Sequence, residues 1–390
     1  MERIGLMGGS FNPIHRGHLA IARQAMQLAH LDQVLFIPTG NPPHKRTGLA
    51  PAEDRYRMTE TAICREKGFL PSRIELDRTG IIYSVDTLEL LHAAHPGAQF
   101  FFIIGEDTLH ELPTWHDPER LYTLCTFLVL RRPGVAADFD AGWEEMTRRG
   151  AHLQAIEMQP VDISSTAIRN GLAKGDYSPH LPGDVAAYIA LTGLYDQPPL
   201  IPQGPAWVDK LYQTLSLRRF SHTLYVVACT RELARLHHLD EKQAVQAALL
   251  HDCAKCLPLG EMQALAQAHR LTEDPAILAS DNLLHSAAGA VIARETYGVT
   301  DEAILNAIAC HTTGRVGMTP LEMVIFLADK IEASRAAYPL LEQIRSLAQK
   351  DLASAVILSM ESTVTYVQSR GETVHPATLQ VLSWLKKRQV

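Results

Sequence analysis

Cysteine is scarce, with six in 390 residues and no regular spacing between them. A disulfide framework is excluded on that ground, and reduced thiols are expected. Cys253 and Cys256 form a single C-x-x-C, but no second pair and no strand–helix–strand context accompanies it, so it reads as coincidence rather than a zinc or redox motif. Long apolar runs are missing as well, and no segment approaches the ~20 residues of a membrane-crossing helix. The first strand leads straight into a glycine motif without a secretory leader, so a cytoplasmic protein with no membrane partner is expected. Positive charge is not in excess either. The formal net charge is −7, with −6 on residues 1–197 and −1 on the remainder. That balance excludes an extended nucleic-acid footprint. Nothing here fixes an oligomeric state, and a homo-oligomer stays open.

What is present divides in two. At 390 residues the chain exceeds one ordinary core, and two domains are expected. In the first half, short apolar runs at Arg3–Met7, Val34–Pro38, Arg73–Leu76, Phe100–Ile104 and Thr126–Leu130 alternate with helical patterns at about Glu53–Glu66, Val85–Ala94 and Glu119–Leu124. Such alternation predicts an α/β doubly wound parallel sheet, with its ligand crevice at the carboxyl ends of the strands. Helices near Ser165–Gly171 and Gly183–Thr192 close that domain, expected over residues 1–197. Residues 196–205 hold four prolines and a glycine, which predicts a linker over 198–205. Beyond it the strand signal vanishes, and helical periodicity runs through Val226–His237, Gln243–His251, Ala287–Tyr297 and Leu321–Ile331. An all-α domain is expected over 206–390.

Two stretches carry chemistry. The first, Gly8-Gly9-Ser10-Phe11-Asn12-Pro13-Ile14-His15-Arg16-Gly17-His18, follows a strand and enters a helix near Arg16. Free N–H groups and the helix dipole make such a junction an anion site, and His15 and His18 share one face of the first turn. The G-K-[ST] ending of a P-loop and the G-x-G-x-x-G spacing are both absent. The second is a series of polar residues within or after apolar helical segments: His222, His251-Asp252, His285, His311 and Asp329. Several converging imidazoles and carboxylates call for a cation, and a ligand set of N and O atoms without thiolate favours a two-metal site of iron or manganese type over structural zinc.

The G-x-F-x-P-x-H-x-G-H pattern resembles the nucleotidylyltransferase superfamily with its Rossmann-like fold. Further segments narrow the resemblance to nicotinate mononucleotide adenylyltransferases, over about residues 1–195. Ile163-Ser-Ser-Thr-Ala-Ile-Arg169 resembles the family's second phosphate motif, with Ser165 and Thr166 at a helix start and Arg169 a turn later. Asn41-Pro-Pro-His44-Lys45 resembles its substrate loop. Gly105-Glu-Asp107 follows a buried strand, and Trp115 resembles the aromatic that stacks on the pyridine ring. The resemblance implies attack of the 5′-phosphate of nicotinate mononucleotide on the α-phosphorus of ATP, with loss of pyrophosphate. Gly8, Gly9, Ser10 and Phe11 then belong to the binding turn. His15 and His18 fall on the α- and β-phosphates, while Lys45, Arg169 and Mg²⁺ take the developing charge. Ser84 stands where many relatives have threonine, with Thr87 nearby; the hydroxyl is kept, so the acid mononucleotide is expected over the amide. A sister adenylyltransferase acting on phosphopantetheine is the rival, and Trp115 with the 41–45 segment counts against it.

The H…HD…H…H…D order resembles the HD-domain phosphohydrolases, and over about residues 206–388 the YqeK family of symmetrical diadenosine tetraphosphate hydrolases. Arg218-Arg-Phe-Ser-His222, Leu-Leu-His251-Asp252-Cys-Ala-Lys255, His311-Thr-Thr-Gly-Arg315 and Ala-Asp329-Lys-Ile-Glu-Ala-Ser-Arg335 carry it. The resemblance implies His222, His251, Asp252 and Asp329 on one metal, His285 and His311 on the other, and Asp252 bridging as the catalytic carboxylate. A water activated there attacks a phosphorus of diadenosine tetraphosphate and gives two ADP. Lys255, Arg315 and Arg335 are candidate phosphate contacts. Another nucleotide polyphosphate as substrate, or a metal-bearing sensor that regulates the first domain without hydrolysis, stays open.

Overall fold

The computed structural model describes the chain except for residues 41–47, 132–136, 158, 160–162, 175–178, 372 and 389–390. It divides into two compact units, Met1–Val185 with Tyr195–Gln197, and Ala186–Leu194 with Pro198–Val390.

The first unit alternates strand and helix in the order β1 (Arg3–Gly9), α1 (Arg16–Leu28), β2 (Gln33–Pro38), α2 (Ala52–Ile63), β3 (Phe69–Pro71), α3 (Ser84–Ala94), β4 (Gln99–Gly105), α4 (Pro118–Leu124), β5 (Thr126–Arg131), α5 (Ala137–Arg148), β6 (His152–Glu157) and α6 (Ser165–Leu172). Among the described residues the strands form one parallel sheet ordered β3-β2-β1-β4-β5-β6. This is the doubly wound sheet expected. The central strands read as unbroken apolar runs because both faces are covered: Ile4 and Leu6 on β1, and Phe100 and Ile104 on β4, are buried with Leu88 of α3 and Leu121 of α4 in one cluster. Two details differ from expectation. The third strand is Phe69–Pro71, and the Arg73–Leu76 run expected there lies in a turn. Phe69 is buried, whereas Arg73 spends its side chain on Glu53 and Asp77, which suits a surface turn. The edge strand β6 and helix α5 were not expected; in β6 only Ile156 is buried, whereas α5 buries Phe139 and Met146 at helical spacing.

The second unit is helical, as expected. After α7 (Gly183–Thr192), which spans the division between the units, come α8 (Gly204–Thr214), α9 (Leu217–Leu236), α10 (Glu241–Leu250), α11 (Leu259–His269), α12 (Pro275–Leu278), α13 (Asp281–Glu295), α14 (Glu302–Cys310), α15 (Pro320–Ile331), α16 (Leu341–Ala348), α17 (Leu352–Ser369) and α18 (Pro376–Arg388). Side-chain caps start the helices that matter for the site. Ser216, Asp240, Asp301 and Thr319 accept N–H groups at the heads of α9, α10, α14 and α15. Helix α15 carries the fully enclosed run Val324–Ala328, as a helix surrounded by others does.

The segment 198–205 is not a loose tether. Leu200 N–H donates to Ala190 O at 2.8 Å, Ile201 is fully buried, and Pro205 lies in the first turn of α8. Proline there marks a helix start, since its missing N–H would have had no partner anyway. Gly204 packs so closely that a Cβ would fall 2.3 Å from Leu191 O. Gly204→Ala is therefore expected to destabilise the second unit by ~1–3 kcal/mol, read as a lowered melting temperature. An unchanged melting temperature would contradict this packing.

Candidate functional sites

Pairing between β1 and β4 stops at Leu6 and Phe102, and the strands run on to Gly9 and Gly105. The strand order reverses here, so the crevice of a doubly wound sheet opens in front of Gly8 and Gly9. A Cβ on Gly8 would meet the Phe102 ring at 3.7 Å, and one on Gly9 the Phe11 ring at 3.6 Å. These are ordinary contacts, so the glycines keep free the space before the strand ends rather than relieve strain. The same Phe102 ring takes Trp115 edge-on at 5.8 Å, which brings the predicted aromatic to the glycine turn.

The turn itself has Phe11 at φ 43° and a cis Asn12–Pro13 bond. Three of its carbonyls are engaged: Ser10 O accepts from Arg55 Nη1 at 2.8 Å, Asn12 O from Arg169 Nη1 at 2.7 Å, and Pro13 O from Ser165 Oγ at 3.2 Å. Thr166 Oγ1 accepts from Arg169 Nη2, and Ser164 caps α6. The second phosphate motif thus folds back onto the first.

His15 and His18 stack with centroids 3.7 Å apart, and Phe11 meets His18 edge-on at 5.1 Å. His18 Nδ1 accepts the His15 N–H at 3.2 Å. A neutral His18 therefore carries its proton on Nε2, as a donor. His15 Nδ1 is buried with no hydrogen-bond partner among the described residues. Burial, and then the neighbouring His180, lowers the His15 pKa to about 4; burial and then His15 lowers that of His18 to about 3. Both rings are neutral hydrogen-bonding groups at pH 7, not fixed cations.

The other expected residues lie along the carboxyl side of the sheet. Thr87 donates to Glu75 Oε1 at 3.2 Å, and Glu75, held above the usual carboxylate range by burial, also accepts from the Gly40 backbone. Ser84 opens α3, half-buried. Asp107 is exposed and folds back over Gly105, where a Cβ would fall 2.4 Å from its Oδ1. Asn41, His44 and Lys45 lie outside the described residues. Sequence reasoning missed Arg55, Glu75 and the Tyr83–His116 stack, whose rings lie 3.9 Å apart.

In the second unit the six predicted ligands converge. His222 comes from α9 and His285 from α13, His251-Asp252 and His311 follow the ends of α10 and α14, and Asp329 lies on α15. Asp252 sits centrally: Oδ1 is 3.1 Å from His285 Nε2 and 3.7 Å from His311 Nε2, while Oδ2 is 3.3 Å from His251 Nε2 and 3.8 Å from His222 Nε2. Asp329 Oδ1 lies 3.0 Å from His222 Nε2 and 3.9 Å from His251 Nε2. The far nitrogens fix the rings. Nδ1 of His251, His311 and His285 donates to the carbonyls of Ala248, Ile308 and Asp281 at 2.7, 2.8 and 2.9 Å. Nδ1 of His222 donates to Glu332 Oε1 at 3.1 Å. Each Nε2 therefore presents a lone pair to the centre.

Without a cation this arrangement is frustrated. His285 and His311 face each other Nε2 to Nε2 at 3.2 Å, and the buried His251 Nε2 lies 3.3 Å from an Asp252 oxygen without a well-aligned hydrogen bond among the described residues. Burial, then the imidazolium form of His251, would push His311 down to about 3. Although burial opposes ionisation of both carboxyls, His251 holds Asp252, and Lys330 with His222 holds Asp329, well below the carboxylate range. Imidazole nitrogens around ionised carboxylates fit divalent metal ions, and among the described residues two clusters, His222–His251–Asp329 and His251–Asp252–His311, have the spacing for one. Guanidinium and ammonium groups stand close by. Arg219 Nη1 meets Asp252 Oδ2 and Arg335 Nη2 meets Asp329 Oδ1, each at 2.7 Å. Lys330 Nζ lies 3.5 Å from Asp329 Oδ2, and Lys255 Nζ binds Asn282 beside His285. Arg315, by contrast, has its guanidinium on the buried Glu322 at 2.7 Å. Arg219, Lys330 and Glu332 were missed from sequence.

Residues 6–171 match the cytidylyltransferase-like family and residues 219–334 the HD domain family. A Mycoplasma genitalium protein with the name "Probable nicotinate-nucleotide adenylyltransferase/Ap4A hydrolase" is 31% identical over 374 residues, 94% of this chain and 98% of its own length. The chain belongs to this two-domain family. A Gloeobacter violaceus "Probable nicotinate-nucleotide adenylyltransferase" is 42% identical over 50% of the chain and 98% of its own length. The crystal structure of a Clostridium acetobutylicum protein described as a "predicted HD superfamily hydrolase involved in NAD metabolism" aligns with 47% of this chain and 96% of its own, at 33% identity and a TM-score of 0.46. No helix among the described residues is long and apolar enough to cross a membrane.

The neutral histidine pair has a measurable consequence. Their folded pKa values of about 4 and about 3 lie below the ordinary histidine value of 6.5, so as pH falls through 6.5 the unfolded chain takes up protons that the folded one refuses. Stability is full above pH 6.5 and falls toward pH 4, by up to ~1.4 kcal/mol per pH unit per ring. His18→Asn keeps an acceptor for the His15 N–H and removes one titrating ring. Urea unfolding between pH 7 and 5 is expected to show a shallower pH dependence in that variant than in the wild type. Equal slopes would mean that the ring titrates normally.

Proposed function

We propose that the first unit transfers AMP from ATP to nicotinate mononucleotide, forming nicotinate adenine dinucleotide and pyrophosphate, and that the second hydrolyses diadenosine tetraphosphate symmetrically to two ADP. The observation that carries the reading is the opposite setting of the two imidazole groups: His18 offers an N–H outward from a strand–turn–helix crevice, while four histidines offer lone pairs inward around two carboxylates. The name of the M. genitalium relative, which covers both units, agrees with this pairing.

In the transferase, the 5′-phosphate oxygen of the mononucleotide attacks the α-phosphorus, and the bond to the β-phosphate breaks with its electron pair on pyrophosphate. No protein nucleophile is needed; positioning and charge neutralisation carry the rate. His15, His18 and the N–H groups of the Gly8–Phe11 turn hold the phosphates, Lys45 and Arg169 face the developing charge, and ATP brings Mg²⁺. Trp115 packs against the pyridine ring, with Ser84 and Thr87 near its carboxylate. Adenylyl transfer runs faster to the acid mononucleotide than to the amide, and equal kcat/KM for the two would contradict the assignment of Ser84.

In the hydrolase, two divalent ions of iron or manganese type, when bound, supply Lewis acidity and an activated water. Asp252 lies between the two halves of the ligand set, with Asp329 completing the His222–His251 side. Lys255, Arg219, Lys330 and Arg335 neutralise the polyphosphate chain, and Arg315 steadies the loop after His311 through Glu322. A sensor function would use the same ligands without turnover.

Two variants of the full chain separate the activities. His18→Asn is expected to lower nicotinate adenine dinucleotide formation by ~10²-fold or more and leave ADP release from diadenosine tetraphosphate unchanged. Asp252→Asn is expected to do the reverse and to lower bound Fe²⁺ or Mn²⁺. Wild-type protein loaded with metal that binds diadenosine tetraphosphate without releasing ADP would establish the sensor reading instead.

A further inference from the structure

Arg55 is the largest fully buried side chain, 1% exposed, on the first turn of α2. A buried guanidinium ordinarily has a carboxylate against it. Arg55 makes no ion pair among the described residues; its described hydrogen bonds all go to backbone carbonyls. Nη1 donates to Ser10 O at 2.8 Å, Nη2 to Thr39 O at 2.8 Å and Gly40 O at 3.1 Å, and Nε to Ala50 O at 3.0 Å. One planar fork thus joins the residue after β1, the two residues after β2, and the segment leading into α2.

The choice of acceptors matters more than their number. A phosphate site at the end of a strand is spoiled by any carbonyl that points into it, because oxygen repels oxygen. The Ser10–Phe11 peptide is planar and trans, so drawing the Ser10 carbonyl toward Arg55 sends the Phe11 N–H the opposite way. The turn holds Phe11 at φ 43°, a left-handed conformation unfavourable for a bulky side chain, and such a backbone persists only where its surroundings over-determine it. Asn12, next in the chain, is pinned on its side chain by Ala50 N and Gly48 O, and Ala50 O is itself an Arg55 acceptor. The buried positive charge, with no ion-paired acid among the described residues, adds to the potential at the same strand ends.

We propose that Arg55 is a positioning residue for the triphosphate of ATP: by holding the Ser10, Thr39, Gly40 and Ala50 carbonyls inside the protein, it turns the Phe11 N–H, just beyond the end of β1, toward the phosphates. This rests on the transferase reading above, and a ligand that needs no turnover separates the two. The test uses full-length Arg55→Lys and Arg55→Gln, with tripolyphosphate binding by calorimetry and initial rates in both substrates. Arg55→Gln is expected to weaken tripolyphosphate about tenfold or more and raise the KM for ATP by a similar factor, with the KM for nicotinate mononucleotide unchanged. Arg55→Lys, which keeps the charge and can reach one or two of the four carbonyls, recovers part of that loss. If Arg55→Gln does not fold, Arg55→Lys decides by the same split, since it is still expected to lose tripolyphosphate affinity relative to the wild type. Unchanged tripolyphosphate affinity in the folded variants, or equal losses for both substrates, overturns the proposal. Weakened tripolyphosphate binding in a wild-type background that makes no dinucleotide would uphold Arg55 and overturn the transferase reading.

Discussion

At His18 the Nδ1 atom accepts a backbone N–H, and at His251, His285 and His311 the same atom donates to a backbone carbonyl. Everything each site can bind follows from that difference. An imidazole that accepts on one side is a donor on the other and suits a phosphate oxygen; one that donates on one side carries a lone pair on the other and suits a cation. Burial makes the charged ring costly at His15, His18 and His311, whereas at His251 the neighbouring Asp252 outweighs burial and raises the pKa. The chain thus uses one side chain for opposite purposes, and the backbone around it makes the selection.

The two folds provide that backbone in different ways. In the sheet domain the strand order reverses between β1 and β4, and a turn follows whose carbonyls are drawn inward by Arg55, Arg169 and Ser165. What is left facing the crevice is electropositive without a fixed charge on either histidine. In the helical domain two ligands follow helix ends. There the C-terminal carbonyls of α10 and α14 have no partner within the helix and take the Nδ1–H of His251 and His311. His222 differs from its neighbours in having Glu332 as its Nδ1 partner, and that carboxylate is in turn held by Ser334. A ligand backed by a carboxylate is a stronger base than one backed by a carbonyl, so the His222 side of the site is the more electron-rich.

Much of this was legible in the sequence, and the rest was hidden for definite reasons. The doubly wound sheet followed from alternating periodicity, and the six metal-ligand candidates from polar residues set in apolar helices. Arg55 gave no such signal, and Arg219 and Glu332 stood inside quoted motifs without a role, because each acts on a partner far along the chain: Ser10 is 45 residues from Arg55, Asp252 is 33 from Arg219, and Glu332 is 110 from His222. Arg335 was visible as a motif residue, yet its contact with Asp329 is a matter of fold. The prolines at 198–205 signalled a tether but belong in part to the start of a helix, a case where one residue type serves two opposite readings. The edge strand β6 was missed because a strand with one buried residue has no alternation to read.

The tautomers of the two buried neutral rings, His18 and His311, are measured directly by ¹⁵N NMR of the metal-free protein. A proton on Nε2 of His18 and on Nδ1 of His311 at pH 7 is expected. A proton on Nδ1 of His18, or on Nε2 of His311, would contradict the opposite setting of the two sites.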